Sequence, residues 1–270
     1  MVLFPHCKIN IGLHILEMRP DGYHGLQTIF YPLKLYDVVE IIESEDFSFS
    51  MTGLKIPGLP DQNLCIRAYQ NLKKKFPELP PVSMHLHKHI PTGSGLGGGS
   101  ADGAFMLKLL NEKFTLRLST GELSKLAIEL GSDCPYFLYE GACYAEGRGE
   151  LLEPISLDLS SCSIVLVHSG VQVNTRWAFS LINVSNSASP IKEFIKLPIH
   201  SWKSAITNDF EAPVFSEFPA LEKIKESLYK QGAHYSSLTG SGSTIYGIFD
   251  KDPNLKIELE QEFRVDILNG

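Results

Sequence analysis

The stretch Pro91-Thr92-Gly93-Ser94-Gly95-Leu96-Gly97-Gly98-Gly99-Ser100-Ala101-Asp102-Gly103 sets the reading of the whole chain. Five glycines fall between Gly93 and Gly99. The preceding segment, VSMHLHKHI at 82–90, alternates as a strand does; the following one, AFMLKLLNEKF at 104–114, reads as a mostly buried helix. Glycine accepts positive φ and lets a ligand approach the backbone closely. A helix start adds uncommitted N–H groups and the positive end of the peptide dipole. Strand, glycine loop and helix in that order predict a phosphate cradle formed by Pro91, Thr92, Gly93, Ser94, Gly95, Leu96, Gly97, Gly98, Gly99 and Ser100. A flexible surface loop is the weaker reading, because linker glycines rarely sit between two regular elements.

Two standard phosphate loops fit poorly. GxxxxGK[ST] is absent from the chain. Gly93, Gly95 and Gly98 do spell GxGxxG, which leaves an NAD-dependent oxidoreductase as an alternative. The strand before it alternates with His and Lys, however, and the segment about 20 residues on reads as helix where a ribose-binding acid at a strand end is expected.

Outward from the loop, strands are expected at 7–16 and 35–44, joined through a Pro-Asp-Gly turn in RPDGYH at 19–24. A helix is expected at 63–76, ending in Lys73, Lys74 and Lys75. Ser119 and Glu122 form a capping box that opens another helix, closed by Gly131. A turn at 132–138, strands at 141–146 and 163–168, a helix at 220–233 and a strand–glycine turn–strand at 237–249 complete the pattern. Strands of antiparallel character mix with helices in both halves, which predicts two α+β domains, 1–155 and 156–270.

Composition narrows the function. The chain has 270 residues with 24 Lys+Arg against 31 Asp+Glu, a net charge of −7. That balance disfavours nucleic acid and anionic membranes as partners without excluding a small anionic ligand. The cysteines, Cys7, Cys65, Cys134, Cys143 and Cys162, form no CxxC pair, so reduced thiols are expected. No apolar run approaches the ~18 residues of a membrane span, and the N-terminus does not read as a targeting segment; a cytoplasmic enzyme is expected.

The loop resembles that of the GHMP kinases, P-x-x-x-G-L-G-S-S-A. Pro91, Gly95, Leu96 and Gly97 match, and Gly98-Gly99-Ser100 replaces Ser-Ser-Ala. GLGGGS is similar to the branch acting on 4-diphosphocytidyl-2-C-methyl-D-erythritol, with Ala101 where that branch has a second Ser. The segments PHCKINIGLHI, RPDGYH, DQNLCIRA, LGSDCPYFL, AEGRGE, TNDFE and LTGSGSTIYGIF resemble further motifs of the branch in the same order. The resemblance implies a ribosomal-protein-S5-like N-terminal domain with a ferredoxin-like C-terminal domain. It implies transfer of a phosphoryl group from ATP, with Mg²⁺, to the 2-hydroxyl of a cytidine-diphosphate-bearing acceptor in non-mevalonate isoprenoid synthesis. A mevalonate or homoserine type of GHMP kinase is the nearest alternative.

A kinase needs a group to take or orient the acceptor proton and cations for the developing charge. Asp133 suits the first role, its local alternative being an N-cap for the turn at 134–136. Lys8 lies in an apolar strand, as either a cation with a task or an edge lysine facing water. The resemblance favours Asp133 as base and Lys8 as its partner. On local sequence Tyr23 and His24 read as ordinary turn packing; the acceptor that the resemblance implies gives their ring face and imidazole a pyrimidine to stack on and bond. The resemblance adds Asn10, Thr175 and Phe179 for the acceptor, and Asn63 and Leu64 for adenine. His85, His87 and His89 share a strand face, read as polar surface more than as a metal site. The glycine turn at 240–242 looks like another phosphate loop, and is either a tight turn between strands or a loop that leans over the active site.

Overall fold

The computed structural model describes residues 1–182, 184, 190–260 and 263–270. Its contacts group into two compact units. The first comprises Met1–Cys7, Leu35–Thr92 and Gly97–Glu140; the second comprises Lys8–Lys34, Gly93–Leu96 and Gly141–Gly270.

In the first unit, β1 (Val2–Leu3), β4 (Val38–Glu43), β6 (Val82–Lys88) and β5 (Ser48–Gly53) form one sheet in the order β1-β4-β6-β5. β4 runs antiparallel to β6, and β5 parallel to it. Helices α1 (Leu64–Lys75), α2 (Gly98–Lys113) and α3 (Thr120–Leu130) pack together in the same unit. α1 buries Ile66, Ala68, Tyr69 and Leu72 on one face, at helical spacing. Its N-cap is Asn63, whose Oδ1 accepts from the Cys65 N–H at 2.9 Å. The capping box at α3 forms as expected: Ser119 accepts from the Glu122 N–H, and Glu122 accepts from the Ser119 N–H at 2.9 Å.

α2 starts inside the glycine loop, earlier than its apolar segment suggests. Low intrinsic propensity argues against a Gly-Gly start. Contact decides otherwise. A Cβ at Gly98 would lie 2.8 Å from Ile90 Cγ2, and one at Gly103 would lie 2.8 Å from Leu64 Cβ. Only a helix without those side chains packs this closely against the end of β6 and against α1.

The second unit holds one sheet whole and most of another. β2 (His6–Met18), β3 (His24–Tyr36), β7 (Cys143–Glu146) and β8 (Leu151–Pro154) lie in the order β2-β3-β7-β8. β10 (Tyr235–Leu238), β11 (Ile245–Asp250), β9 (Cys162–His168) and β12 (Arg264–Asn269) form the other, antiparallel throughout. Short helices α4 (Thr175–Ser180), α5 (Ile191–Phe194), α6 (Trp202–Ala205) and α7 (Glu211–Glu217) precede the longer α8 (Pro219–Lys230). Leu13 and Ile15 of β2 share one buried cluster with Val165, Val167, Phe210, Ile224 and Leu228. β2 and β3 therefore group with the later part of the chain. The contact units cross a cut at residue 155, because residues 8–34 and 93–96 group with 141–270 and Leu13 bridges Asn208.

The five cysteines are buried and form no disulfide. Among the described residues, no helix is long and apolar enough to cross a membrane. His85 and His87 are engaged by β5: Ser50 and Thr52 hydroxyls lie 2.8 and 2.9 Å from His85, and Thr52 lies 2.9 Å from His87. No group of three metal-ligating side chains occurs among the described residues.

Candidate active site

The first unit carries the start of α2. Gly97 is its N-cap in the left-handed region, φ 71°, and no side chain of the described residues caps it. The N–H groups of the first turn thus belong to an uncapped helix start, the arrangement that binds anions. The cradle is backbone by necessity, since a Cβ at Gly98 would also come within 2.9 Å of Lys88 Nζ.

Lys88 lies directly behind that turn, fully buried with two carboxylates. Its ammonium bonds Asp102 Oδ2 at 2.8 Å and Asp37 Oδ2 still more closely. Asp37 Oδ1 also accepts from the N–H groups of His89 and Ile90, at 2.6 and 2.9 Å. Asp102 Oδ1 has no hydrogen-bond partner among the described residues. The two acids are therefore unequal. The Asp102 carboxyl is pushed up to about 7, because burial, aided by the neighbouring Asp37, outweighs the pull of Lys88. Burial alone would lower Lys88, but the two carboxylates outweigh it and hold the ammonium above its ordinary value. Asp37 accepts from three donors, whereas Asp102 accepts from one and is the group that takes a proton.

Asp133 stands at the head of the short 3-10 turn Cys134–Leu138, half-buried, and its side chain makes no capping bond to that turn. Asp133 thus holds the N-cap position of that turn without a side-chain capping bond. Asn63 spends its carboxamide oxygen on α1 and borders a cavity of about 300 Å³ lined by Phe49, Met51, Ile56, Leu59 and Gln62. Leu64 is half-buried beside Gly103 of α2.

The second unit carries the middle of the loop, Gly93–Leu96, and Lys8. Lys8 is 2% exposed, which removes the reading of a lysine facing water. Its ammonium donates to Asn10 Oδ1 at 2.5 Å and to Gly95 O at 3.0 Å, and lies 5.1 Å above the Phe30 ring. Asn10 Nδ2 donates to Thr28 Oγ1 at 3.0 Å, and Thr28 donates to Gly12 O at 2.5 Å. Asn10 is 2% exposed and turned toward Lys8, so in this structure it positions the lysine. Thr239 donates to Gly95 O at 3.2 Å, and the Thr244 N–H donates to Ser94 O at 3.1 Å. A Cβ at Gly95, φ 80°, would collide with Thr239 O. The 240–242 turn accordingly joins β10 to β11 and packs on the glycine loop.

The acceptor candidates gather in this unit. The RPDGYH turn forms as expected, with Asp21 bonded to Arg19 and accepting from the Tyr23 N–H at 3.2 Å. His24 Nδ1–H donates to Leu16 O at 3.0 Å, which leaves Nε2 of the neutral ring as an acceptor. The His24 and Phe179 rings are near parallel, 13° apart with centroids 5.8 Å apart. Thr175, first residue of α4, shares a 2.9 Å hydrogen bond with Ser241. Tyr23 is 53% exposed. A larger cavity in the unit, about 1090 Å³ and bordered by Asn208, Asp209, Lys225 and Tyr229, includes none of these residues.

Uncapped backbone donors at a helix start, a buried lysine bonded to the glycine loop and a half-buried aspartate are groups of the kinds that phosphoryl transfer uses. The family models agree: GHMP kinases N terminal domain matches residues 63–141 and GHMP kinases C terminal matches residues 191–261. The chain belongs to the GHMP kinase family. This GHMP kinase is 46% identical over 268 residues to the 4-diphosphocytidyl-2-C-methyl-D-erythritol kinase of Bacteroides fragilis, covering 97% of each chain. It is 48% identical over 259 residues to the enzyme of that name from Bacteroides thetaiotaomicron, covering 94% of each. A crystal structure of 4-(cytidine 5'-diphospho)-2C-methyl-D-erythritol kinase superposes with a TM-score of 0.79 at 28% identity, covering 92% of this chain and 90% of that one. The mevalonate kinase of Methanococcus jannaschii shares the fold, with a TM-score of 0.70 at 15% identity, covering 100% of this chain and 98% of that one.

Sequence reasoning missed Thr28, Thr239, Asp37, Lys88 and Asp102. One signal was present for Asp37: an acid in the middle of the apolar run Leu35-Tyr36-Asp37-Val38-Val39 needs a buried partner.

Proposed function

We propose that this small-molecule kinase transfers the γ-phosphoryl group of ATP to the 2-hydroxyl of 4-diphosphocytidyl-2-C-methyl-D-erythritol, giving the 2-phosphate and ADP. The setting is the non-mevalonate isoprenoid pathway in the cytoplasm. The observation that carries the choice of acceptor is the His24–Phe179 pair beside Tyr23, with an acceptor nitrogen on His24. A pyrimidine has a face for those rings and an amino group for that nitrogen; mevalonate and homoserine offer no such ring. The names of the relatives support the same acceptor.

ATP would supply the phosphoryl group, and a Mg²⁺ bound with it would neutralise the charge on its phosphates. The site residues suit that partner, because the uncapped α2 start and the loop from Pro91 to Ser100 present backbone donors where side chains would clash. Asn63 and Leu64 border the place for adenine. Asp133 takes or orients the proton of the acceptor hydroxyl. Lys8, held by Asn10 and Gly95 O, offsets the charge that develops. Tyr23, His24, Thr175 and Phe179 hold the cytidine end, and Asn10 acts through Lys8. Residues 1–155 carry the nucleotide and the catalytic groups; residues 156–270 complete the acceptor site.

A phosphoryl-transfer assay tests this directly. Product is expected with the diphosphocytidyl acceptor and not with mevalonate or homoserine. Bound ATP without product overturns the assignment. Asp133→Asn is expected to lower turnover by roughly 10²- to 10⁴-fold in a folded protein; near-normal turnover removes Asp133 from the mechanism.

A further inference from the structure

The turn between β7 and β8, Glu146-Gly147-Arg148-Gly149-Glu150-Leu151, lies against the acceptor residues of the second unit. The Leu26 N–H donates to Gly147 O at 2.8 Å, two residues beyond His24. The turn is closed on itself. Glu150 Oε2 accepts from the Arg148 N–H at 2.5 Å, and the Gly149 N–H donates to Glu146 O at 3.0 Å. Gly147, φ 71°, has no room for a Cβ, which would lie 2.7 Å from Glu150 Oε2.

This frame aims Arg148 at Tyr23. The guanidinium carbon is 4.6 Å from the centroid of the Tyr23 ring. The Arg148 side chain is 24% exposed, and its nearest carboxylate oxygen, on Glu150, is 3.8 Å from Nε, beyond hydrogen-bond distance. Nε is buried and has no hydrogen-bond partner among the described residues. The other arginine of this corner, Arg19, is by contrast tied to Asp21 through two nitrogens. Tyr23 itself sits on an exposed turn, where a ring without a neighbour samples several rotamers. A planar cation on one face removes that freedom and leaves the other face open.

We propose that Arg148 is a positioning residue for the acceptor: it packs on one face of Tyr23 and so presents the opposite face to the cytosine ring. The proposal rests on the assignment of Tyr23 to the cytidine end of the acceptor. Arg148 need not touch the acceptor.

Steady-state kinetics of Arg148→Ala, Arg148→Lys, Tyr23→Ala and the double variant Arg148→Ala/Tyr23→Ala test it, with cytidine and cytidine monophosphate as competing probes. Arg148→Ala is expected to raise KM for the acceptor roughly three- to tenfold, the range for one cation–π contact. KM for ATP and kcat stay within about twofold in that variant. Arg148→Lys recovers only part of the loss, because an ammonium lacks the flat face. The double variant matches Tyr23→Ala, since both changes remove one interaction. Cytidine and cytidine monophosphate weaken by the same factor as the acceptor. Additive effects overturn the proposal, and so does weakening confined to ligands with phosphate groups, which would make Arg148 a direct phosphate ligand. If Tyr23→Ala raises the acceptor KM and Arg148→Ala does not, the proposal alone fails. If Tyr23→Ala changes nothing, the assignment of Tyr23 fails and the proposal with it.

Discussion

Replacing Asp102 by asparagine isolates the buried ion cluster beneath α2. The carboxyl rises from an ordinary 3.8 to about 7 on folding, chiefly through burial. A rise of that size corresponds to about 4 kcal/mol in favour of the neutral form. Between the two values the unfolded chain has released the proton and the native protein keeps it. Raising the pH through this window therefore favours the unfolded state, and the loss is complete once the pH exceeds about 7. From about pH 5 to pH 8 the group accounts for a fall of about 3 kcal/mol in native stability. A carboxamide at this position has the shape of the carboxyl and no proton to lose in that range, so the fall attributable to the site disappears in Asp102→Asn.

Urea unfolding of both proteins at several pH values over that range provides the assay. Groups outside the cluster titrate too, but in both proteins alike. His6, lowered by burial, makes stability rise with pH up to its ordinary value of 6.5. Asp21 and Glu122, lowered by hydrogen bonds, have given their full contribution once the pH exceeds their ordinary values. Lys88, raised by its two acids, loses nothing until the pH exceeds its ordinary 10.5. The difference between wild type and Asp102→Asn cancels His6, Asp21 and Glu122, and Lys88 keeps Asp37 as its partner in the variant. That difference is expected to shift by about 3 kcal/mol in favour of the variant between pH 5 and pH 8. A difference that stays flat shows that Asp102 is not the member of the cluster that holds the proton.

Gly95→Ala is expected to weaken ATP binding at least tenfold, because its Cβ would meet Thr239 O in a left-handed backbone; isothermal titration with ATP measures it. Asn10→Ala is expected to lower kcat while leaving the KM for ATP little changed, and to cost about 1–3 kcal/mol in urea, since Lys8 and Thr28 lose their shared partner.

Much of the local structure was legible because its signals are local. The capping box at Ser119 and Glu122, the Pro-Asp-Gly turn and the alternation of β6 each specify an element within a few residues. The start of α2 was not, because Gly98 and Gly103 are poor helix formers, present for the collisions they avoid with Ile90 and Leu64. The strand reading of 35–44 ran across Asp37, which separates β3 from β4 and anchors the end of β6 through His89 and Ile90. The 240–242 turn was ambiguous in sequence because a glycine-rich run serves hairpins and phosphate loops equally.

For function the division is similar. The order of residues alone points to a phosphate-binding loop between strand and helix, while Lys8 and Asp133 take their expected roles from the ordered motifs that resemble the GHMP kinases. Which groups support that chemistry emerged only from the folded chain. Asn10 turned out to hold Lys8, Thr239 reached Gly95 across more than half the chain, and Lys88 met Asp37 and Asp102 behind the cradle. A backbone cradle is set by glycine and by neighbouring residues, and so is written in a motif. The burial of charge depends on side chains far apart in sequence, and their partners exist only once the chain has folded.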